Sequence, residues 1–568
     1  MIKRITLVFI LLLAFFVRLY GINWDQHQHL HPDERFLTMV ATSSRVPASF
    51  LDYLDPGISP LNPYNHDFSF FVYGTFPVSF VKVLAVQLGM DTYYDITLLG
   101  RLISAITDVG TLLMLFLLVK IWQKRYRLPE WLPYLSSFLY AISVLPIQQS
   151  HFFTVDTFAA FFISLSLVAA SMYIENRKGV YIIVGAIGVG LALGSKVSSL
   201  YSMPLIGIFF LIGMLSHKEL PIIKAKRIFL HSLLAVLVSY ITLRLADPRI
   251  FASASWLSVL PNPQFLGNLQ ELRRLTDISA PFPPTLQWVS KKHVIFPLQN
   301  MALFGVGLPY FVLSIVGLLI GLRSKKREIV IVAFWIIGFF LYQGNQNIMT
   351  MRYFYGIYPF LAFFAAWVIL EATGGLTSVK KQLSIMMIVL LLGIWPYAFT
   401  SIYRQPHSRV QASGWIYTNI PTGSTILVEH WDDALPLSFP ADQYNQFPRL
   451  SNQYKIIEQP VFDPDSQMKQ DVIERNLQSA DYYILSSNRG YGSVLSVPER
   501  FPYMSALYTD LLNGDTPYRK VAEFSTDPHI AFGKKKFVIS DRNSEEAFTV
   551  YDHPTVLIFK NTAKIEVK

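Results

Sequence analysis

Long apolar runs dominate this sequence and constrain its fold more than any other feature. A run of about 20 apolar residues crosses the hydrocarbon core of a bilayer as a helix, and this chain of 568 residues contains many such runs. Its composition agrees, since 52% of the residues are hydrophobic, only 15% are charged, and the mean hydropathy is +0.37. The sequence therefore predicts an integral membrane protein. The lack of cysteine excludes disulfides, thiolate metal sites and cysteine nucleophiles.

About eleven transmembrane helices are predicted from these runs. The first run follows a charged start, as in a signal peptide, but no small-residue cleavage site comes after it. We therefore interpret it as a retained helix. The predicted spans cover residues 4–21, 97–121, 131–148, 156–174, 179–194, 198–215, 228–246, 300–321, 329–343, 354–372 and 383–399.

The basic residues are distributed unevenly along the chain. Residues 1–399 contain 31 Lys and Arg against 18 Asp and Glu, whereas residues 400–568 contain 17 against 20. Nearly all basic clusters fall on one side of the predicted bundle, which the positive-inside rule makes cytoplasmic. The positive charge thus indicates topology and not a nucleic-acid partner. We expect a multi-pass protein of a bacterial-type plasma membrane, with a cytoplasmic N-terminus and an extracytoplasmic C-terminal domain.

Two long outer loops and a polar tail complete the predicted organisation. The loop at 22–96 contains an apolar stretch at 70–89, which we interpret as an interfacial helix because it includes a proline and a lysine. The loop at 247–299 is rich in proline and predicts another surface helix. In the tail, amphipathic helices alternate with short apolar strands. We therefore expect a transmembrane module at 1–399 and an extracytoplasmic α/β domain at 400–568 with a partly parallel sheet.

Acidic residues lie directly after the first predicted span, in the segment NWDQHQHLHPDERF. Asp33 and Glu34 are suited to accept a proton from an attacking hydroxyl or to hold a divalent cation. Alternatively, Asp33 caps the short helix that follows. The His-x-His-x-His spacing in the same segment would suit zinc if three imidazoles shared one side of a strand. Asp156, at the outer rim of the fourth span, is either a favourable charge at a helix start or a site residue.

Three basic residues on the predicted outer side run against the topology bias. Lys196 lies between the fifth and sixth spans, Arg352 opens the tenth, and Arg101 opens the second. A bound phosphate would explain them, because Arg presents a fork of donors and Lys a point charge, whereas snorkelling to the interface is the alternative. Asp108 lies two helical turns beyond Arg101. We expect it to be either the structural partner of a nearby cation or part of a cavity inside the membrane.

Several motifs, in their order along the chain, resemble those of the GT-C membrane glycosyltransferases. The resemblance covers about residues 1–372 and is closest to the group of protein O-mannosyltransferases and aminoarabinose transferases. A lysine-containing K-P-P-L motif of the aminoarabinose transferases is absent before YGTFP, and Lys82 is the candidate substitute. The motifs are the Asp-Glu pair at 33–34, YGTFP at 73–77, GRLISA at 100–105, SHFFTVD at 150–156, GLALGSK at 190–196 and RYFYGIYPF at 352–360.

The resemblance implies a GT-C-like helical bundle and a sugar donor linked to polyprenyl phosphate. It implies Asp33 as the catalytic carboxylate, Glu34 as its neighbour in positioning or metal binding, and Asp156 as the second acidic position. A divalent metal remains an open alternative, with His31, Asp33, Glu34 and Asp156 as candidate ligands. The candidate phosphate-binding residues are Lys196, Arg352 and Arg101.

These candidates predict a membrane glycosyltransferase that moves a sugar from a polyprenyl phosphate to an acceptor hydroxyl on the outer face. A sugar phosphate already has a good leaving group, so the acceptor needs a base, and Asp33 fits that role. A single displacement inverts the anomeric centre, whereas retention would require two carboxylates about 5 Å apart. The expected partners are this donor, a protein, lipid or glycan acceptor, and membrane lipids. The alternatives are a transporter or flippase, for which the sequence lacks internal repeats, and a membrane-anchored binding protein.

Overall fold

The computed structural model describes residues 1–216, 220–277, 282–439 and 449–564. A bundle of apolar helices extends to Phe399, and a domain built around a mixed sheet follows it. The expected fold class is confirmed: the protein is a polytopic helical membrane protein with a C-terminal α/β domain.

Helices α1 to α18 build the first part. A 3-10 turn, Val197–Ser202, precedes α10, and another, Met351–Ile357, precedes α17. The helices are α1 (Ile2–Leu19), α2 (Pro32–Ser43), α3 (Phe50–Leu54), α4 (Phe76–Leu88), α5 (Tyr93–Tyr126), α6 (Leu132–Ala141), α7 (Val144–Ser150), α8 (Asp156–Asn176), α9 (Val180–Ser195), α10 (Met203–Leu215), α11 (Pro221–Ala246), α12 (Pro263–Leu275), α13 (Pro283–Val289), α14 (Ile295–Asn300), α15 (Leu308–Arg323), α16 (Arg327–Gly344), α17 (Tyr358–Ala372) and α18 (Ser378–Phe399).

Seven helical segments in the described part of the chain are long and apolar enough to cross a membrane. An eighth candidate is the pair Ile295–Gly305 and Leu308–Arg323, which is bent by 119°. Gly307 lies at this bend with φ of 90°, a value that glycine adopts without strain. The seven segments are Tyr93–Tyr126, Asp156–Asn176, Val197–Leu215, Pro221–Ala246, Arg327–Gly344, Met351–Ala372 and Ser378–Asn419.

Three of the eleven expected spans correspond neither to one of these seven segments nor to the bent pair, each for a local reason. Helix α1 has the length of a span but carries three basic residues. The expected span at 131–148 is divided into α6 and α7, because Ser143 adopts an extended backbone between them. Helix α9 has only 16 residues. The membrane association of the chain is clear from the long apolar helices, and these three segments lie among them in the bundle.

Small residues allow α8, α9 and α11 to pack closely. A Cβ atom on Gly188 would lie 2.9 Å from the carbonyl oxygen of Phe162 in α8, and one on Gly190 would lie 2.8 Å from that of Ser239 in α11. Helix α5 packs against α8 as well, and α15 packs against α17. Such close backbone approach is how helices associate in a bilayer, where the hydrophobic effect does not draw them together.

Each of the two long loops that are expected on the outer side contains short helices. Helix α4 occupies the stretch that predicts an interfacial helix, has 13 residues, and packs against α2, α5 and α9. The Lys82 side chain is 3% exposed and donates to Asp91 at 2.6 Å. The proline-rich loop contains α12, α13 and α14, so its predicted surface helix is present.

The C-terminal domain is built on a sheet of mixed direction. Within the described residues, five strands form this sheet in the order β2-β1-β3-β7-β4. Strand β1 pairs in parallel with β2 and β3, whereas β7 pairs antiparallel with β3 and β4. The strands are β1 (Thr425–Glu429), β2 (Lys455–Gln459), β3 (Tyr482–Leu485), β4 (Tyr518–Phe524), β5 (His529–Phe532), β6 (Lys535–Val538) and β7 (Val556–Asn561), and the helices are α19 (Ser408–Asn419), α20 (Gln467–Ser479), α21 (Arg489–Val494), α22 (Pro502–Asn513) and α23 (Glu546–Thr549).

Buried polar contacts join this domain to the helical bundle. Asp552 accepts hydrogen bonds from Gln148 at 3.1 Å and from the Tyr403 hydroxyl at 3.0 Å. His553 bridges Asp552 and Asp541. Burial alone would lower the pKa of His553, but these two carboxylates raise it to about 10. The imidazole is therefore a cation near neutral pH, and it binds both acids at the junction.

Candidate active site

Four charged side chains from four separate segments meet at the end of the bundle that faces the sheet domain. We call Asp33, Asp156, Lys196 and Arg352 the charge cluster. Arg352 Nη1 donates to Asp33 Oδ2 at 2.5 Å, and Arg352 Nε lies 3.9 Å from Asp156 Oδ2. Lys196 Nζ donates to Asp156 Oδ1 at 2.5 Å. Acidic and basic groups therefore alternate, and their formal charges cancel.

The charge cluster is partly open to solvent. The side chains of Asp33, Lys196 and Arg352 are 24%, 21% and 19% exposed, whereas that of Asp156 is 4% exposed. Asp156 is thus enclosed between two cations that neutralise it. Asp33, Lys196 and Arg352 are accessible to a ligand.

Each member of the cluster lies at or near the end of a helix. Asp33 is in the first turn of α2, where His31 and not Asp33 is the capping residue. Asp156 begins α8, as expected for the outer rim of that span, and Lys196 directly follows α9. Arg352 is in the 3-10 turn before α17. The helix backbones therefore determine where these charges meet, although the residues are far apart in sequence.

Tyr73 extends the cluster on the side of the first outer loop. Its hydroxyl interacts electrostatically with Asp33, and burial together with that carboxylate raises the pKa of Tyr73 well above its usual value. The loop is docked on the end of α9, because Gly74 donates from its backbone to the Ser195 carbonyl at 3.1 Å. A Cβ on Gly74 would lie 2.1 Å from the Gly194 carbonyl oxygen. The glycine of the YGTFP motif is therefore required by this contact with the segment that carries Lys196.

Electrostatics keep Asp33 ionised. Burial acts to raise the pKa of its carboxyl, but the Arg352 guanidinium, with smaller contributions from His31 and Tyr73, lowers it to about 2. Asp33 is consequently a carboxylate over the whole physiological pH range. A carboxylate stabilised in this way is a weak base until the arginine finds another partner.

Arg101 and Glu34 lie outside the charge cluster, in a closed ionic group with Asp25. Arg101 donates to both oxygens of Glu34 at 2.5 and 2.9 Å and to both oxygens of Asp25 at 2.8 and 3.1 Å. All three side chains are at most 1% exposed. Glu34 also accepts from the backbone of Phe153 at 2.7 Å. The donors of Arg101 are occupied by two carboxylates, and the structure does not bring this arginine to an accessible phosphate position.

The candidate metal ligands are held by other partners. Glu34 is bound by Arg101, Asp33 by Arg352, and His31 accepts at Nδ1 from the backbone of Glu34 at 3.2 Å. Burial lowers the pKa of His31 to about 4, so its ring is neutral, and it packs against Phe152. In the part of the chain that the structure describes, no three His, Asp or Glu side chains are grouped to hold a metal. The donor set therefore does not fit a divalent cation.

Asp108 is a structural partner of a cation, one of the two predicted alternatives. Arg18 Nε donates to it at 2.5 Å, and the hydroxyls of Tyr140 and Tyr355 also donate to it. All four residues are buried. This charge is satisfied inside the bundle.

Functional contacts from distant segments were not apparent in the sequence. Arg249 donates to the carbonyls of Phe71 and Tyr73 at 2.8 Å each and so supports the loop beside Asp33. Arg35, next to the Asp-Glu pair, donates to Asp433 in the loop after β1 at 2.8 Å. Tyr73 lies within the YGTFP motif, so the sequence did draw attention to this residue. Asp433 directly follows a predicted strand, a place where ligand sites in α/β sheets tend to lie, whereas Arg249 has no local pattern that distinguishes it from other charged residues.

Comparison with solved structures identifies proteins with a similar fold. The chain superimposes on the oligosaccharyltransferase AglB of Archaeoglobus fulgidus, in complex with an inhibitory peptide and a dolichol-phosphate, with a TM-score of 0.51 and 13% identity. This match covers 88% of the present chain and 71% of AglB. ArnT of Cupriavidus metallidurans bound to undecaprenyl phosphate gives a TM-score of 0.44 and 16% identity over 71% of this chain and 68% of ArnT.

The sequence alone gives no comparable match. No protein-family model and no curated protein matches it. The similarity to AglB, at 13% identity, concerns the fold. The resemblance predicted from the sequence motifs is thereby confirmed at that level: the chain has a GT-C-like membrane fold.

Proposed function

We propose that this protein is a membrane glycosyltransferase that transfers a sugar from a polyprenyl-phosphate donor to an acceptor hydroxyl. The observation that carries the proposal is the charge cluster, in which a carboxylate and two accessible cations meet at one end of an apolar bundle. Such a site accommodates the phosphate of a lipid whose chain lies along the helices. The dolichol-phosphate bound by AglB supports this assignment.

Arg352 and Lys196 are the proposed ligands of the donor phosphate. Arg352 uses Nη1 on Asp33, and Lys196 uses one of its three donors on Asp156. Their remaining N–H groups are available to phosphate oxygens, and charge-assisted hydrogen bonds of this kind strengthen as the phosphate departs and gains charge. Asp156 holds Lys196 in place. Glu34 and Arg101 act as positioning residues, because their ionic group anchors the start of α2 behind Asp33.

Asp33 is the proposed general base. The acceptor oxygen attacks the anomeric carbon, the bond from that carbon to the phosphate oxygen breaks, and polyprenyl phosphate leaves with the electron pair. The acceptor proton passes to the Asp33 carboxylate, and the anomeric centre is inverted. Binding of phosphate to Arg352 would weaken the ion pair with Asp33 and raise the pKa of Asp33, which makes it a better base when the donor is present.

The proposal places the reaction on the extracytoplasmic face. We assign the transfer reaction to the module at 1–399, and the extracytoplasmic domain at 400–568 contacts the segment of Arg352 through Glu545. The acceptor is a hydroxyl of a protein, a lipid or a glycan. No step is assigned to a metal, since the candidate ligands are bound by cations and backbone groups.

The test is release of polyprenyl phosphate by the purified protein in proteoliposomes. A panel of polyprenyl-phosphate sugars would be supplied together with lipid, glycan and peptide acceptors, and wild type would be compared with Asp33→Asn. Asp52→Asn is the matched control, since this acid lies in the same outer loop and outside the cluster. We expect release from wild type and Asp52→Asn and loss of release in Asp33→Asn. Equal release from Asp33→Asn would contradict the base, and failure of the wild type to bind any polyprenyl phosphate would contradict the class.

A further inference from the structure

Glu545 of the C-terminal domain contacts the backbone that carries Arg352. Its Oε1 accepts from the Thr350 hydroxyl at 2.6 Å, and its two oxygens lie 2.9 and 3.0 Å from the backbone nitrogen of Met351. Arg352 is the next residue, within the same 3-10 turn. A carboxylate of one domain thus binds the two residues that precede the proposed phosphate ligand in the other.

Glu545 is itself rigidly held. Its backbone nitrogen donates to Asn300 Oδ1 at 2.7 Å, and it directly precedes α23. Glu545, Thr350 and Met351 are 3%, 6% and 0% exposed, so water does not compete for these hydrogen bonds. Burial raises the pKa of Glu545 to about 7, against the smaller lowering effect of Thr350, Met351 and Arg352. Burial of an acid is costly unless hydrogen bonds compensate for it, and here the compensating bonds are those to Thr350 and Met351.

The neighbouring acid, Glu546, makes a different contact. It binds Arg489 at 2.9 Å and Ser493, both within the C-terminal domain. Its side chain is 8% exposed, so it resembles Glu545 in type, burial and position. Only Glu545 of these two acids reaches the segment of Arg352, and the pair therefore offers a matched comparison.

We propose that Glu545 is a positioning residue through which the C-terminal domain sets the location of Arg352 and hence the affinity for the donor phosphate. This inference rests on the proposed function, because it assigns Arg352 to the phosphate. The C-terminal domain is then a part of the donor site, because one of its residues positions a phosphate ligand.

The experiment measures binding of undecaprenyl phosphate to the full chain in detergent. The variants are Glu545→Ala, Glu545→Gln, Arg352→Ala, the double variant Glu545→Ala/Arg352→Ala, and the control Glu546→Gln. We expect Glu545→Ala to weaken binding about tenfold, as for loss of a buried hydrogen-bond network. Glu545→Gln should lose less, because its amide oxygen still accepts from Thr350 and Met351. Glu546→Gln should bind as wild type does.

The double variant separates positioning from a general loss of structure. If Glu545 acts through Arg352, the double variant binds no more weakly than Arg352→Ala alone. Losses that multiply in the double variant, or wild-type affinity in Glu545→Ala, would overturn the inference. Thermal unfolding of each variant verifies that the chains compared are folded, and Glu545→Gln provides the comparison if the alanine variant is not. If Arg352→Ala itself binds as wild type does, the proposed function fails and not only this inference.

Discussion

The guanidinium of Arg352 lies 2.5 Å from the carboxylate of Asp33, a residue 319 positions earlier in the chain. This ion pair connects the first outer segment with the start of α17. It also couples the two proposed functions of the site, because the group assigned to the phosphate is the one that suppresses the basicity of the group assigned to the acceptor.

Replacing Asp33 by Asn should separate binding from chemistry. The variant lacks the base, so we expect transfer to fall by about 10²–10⁴-fold. Arg352 then loses the carboxylate that accepts from its Nη1, with only the more distant Asp156 remaining, and the repulsion between Asp33 and the phosphate disappears. Binding of undecaprenyl phosphate should therefore be as tight as in wild type or tighter, as measured by titration. Parallel losses of binding and transfer would contradict the assignment.

Lys196 should be needed for binding of the donor phosphate. Neutralising its partner, Asp156, should not restore that binding when Lys196 is replaced. Lys196→Gln removes one phosphate ligand and deprives the buried Asp156 of its closest cation, so affinity should fall about tenfold and stability by about 1–3 kcal/mol. In Lys196→Gln/Asp156→Asn the uncompensated charge is gone. We expect thermal stability to recover in that double variant while phosphate affinity stays low. Recovery of both would assign Lys196 a purely structural role.

Arg101 should be important for folding. Arg101→Ala leaves Asp25 and Glu34 buried without their shared cation, and breaking a buried ionic group typically costs about 3–5 kcal/mol. The expected result is a large fall in the unfolding temperature and in the yield of folded protein. Arg45→Ala, at an exposed arginine in the loop that carries Asp25 and Glu34, should have little effect. A stable Arg101→Ala protein with weakened phosphate binding would instead support a direct phosphate contact.

The stability of the C-terminal domain should depend on Glu429. Burial raises the pKa of this carboxyl from 4.5 to about 8, although Tyr508 and Tyr483 donate to it. The folded state therefore binds the proton more tightly than the unfolded state. The resulting stabilisation is complete below pH 4.5 and is lost as the pH rises through about 8, with a maximum of about 5 kcal/mol.

Glu429→Gln stays neutral and should not lose this contribution. Its unfolding temperature should fall less than that of wild type between pH 5 and pH 8.5. Glu458→Gln, at an exposed position on β2, serves as the control and should follow wild type. If the unfolding temperatures of Glu429→Gln and wild type decline in parallel, the raised pKa is not the cause.

Much of the fold is predictable from the sequence, because each helix or strand is specified by a short continuous stretch of residues. The apolar runs correspond to helices, and the tail folds into the alternating helices and short strands that its pattern predicts. The departures are also local: Ser143 interrupts an expected span, and Gly307 lies at a bend of 119°. A hydropathy pattern reports how apolar a segment is and not whether its backbone continues straight.

The candidate site was predictable in its residue types but not in their grouping. Asp33, Asp156, Lys196 and Arg352 each attract notice because a charge near the membrane surface is costly unless it has a partner. Arg101 and Glu34 attract notice for the same reason, yet they are buried with Asp25. Burial and ion pairing depend on side chains from other segments, so the local sequence does not distinguish these two outcomes.

Hydropathy and chain periodicity act over a few residues, so the membrane environment, the order of helices and strands, and the charges available at the helix ends follow from the local sequence. Which of these charges neutralise each other depends on the packing of distant segments. This packing pairs Arg352 with Asp33 and places Glu545 on the turn that carries Arg352. The physical reason is that electrostatic energies depend on distance and on exclusion of water, and packing between distant segments sets both.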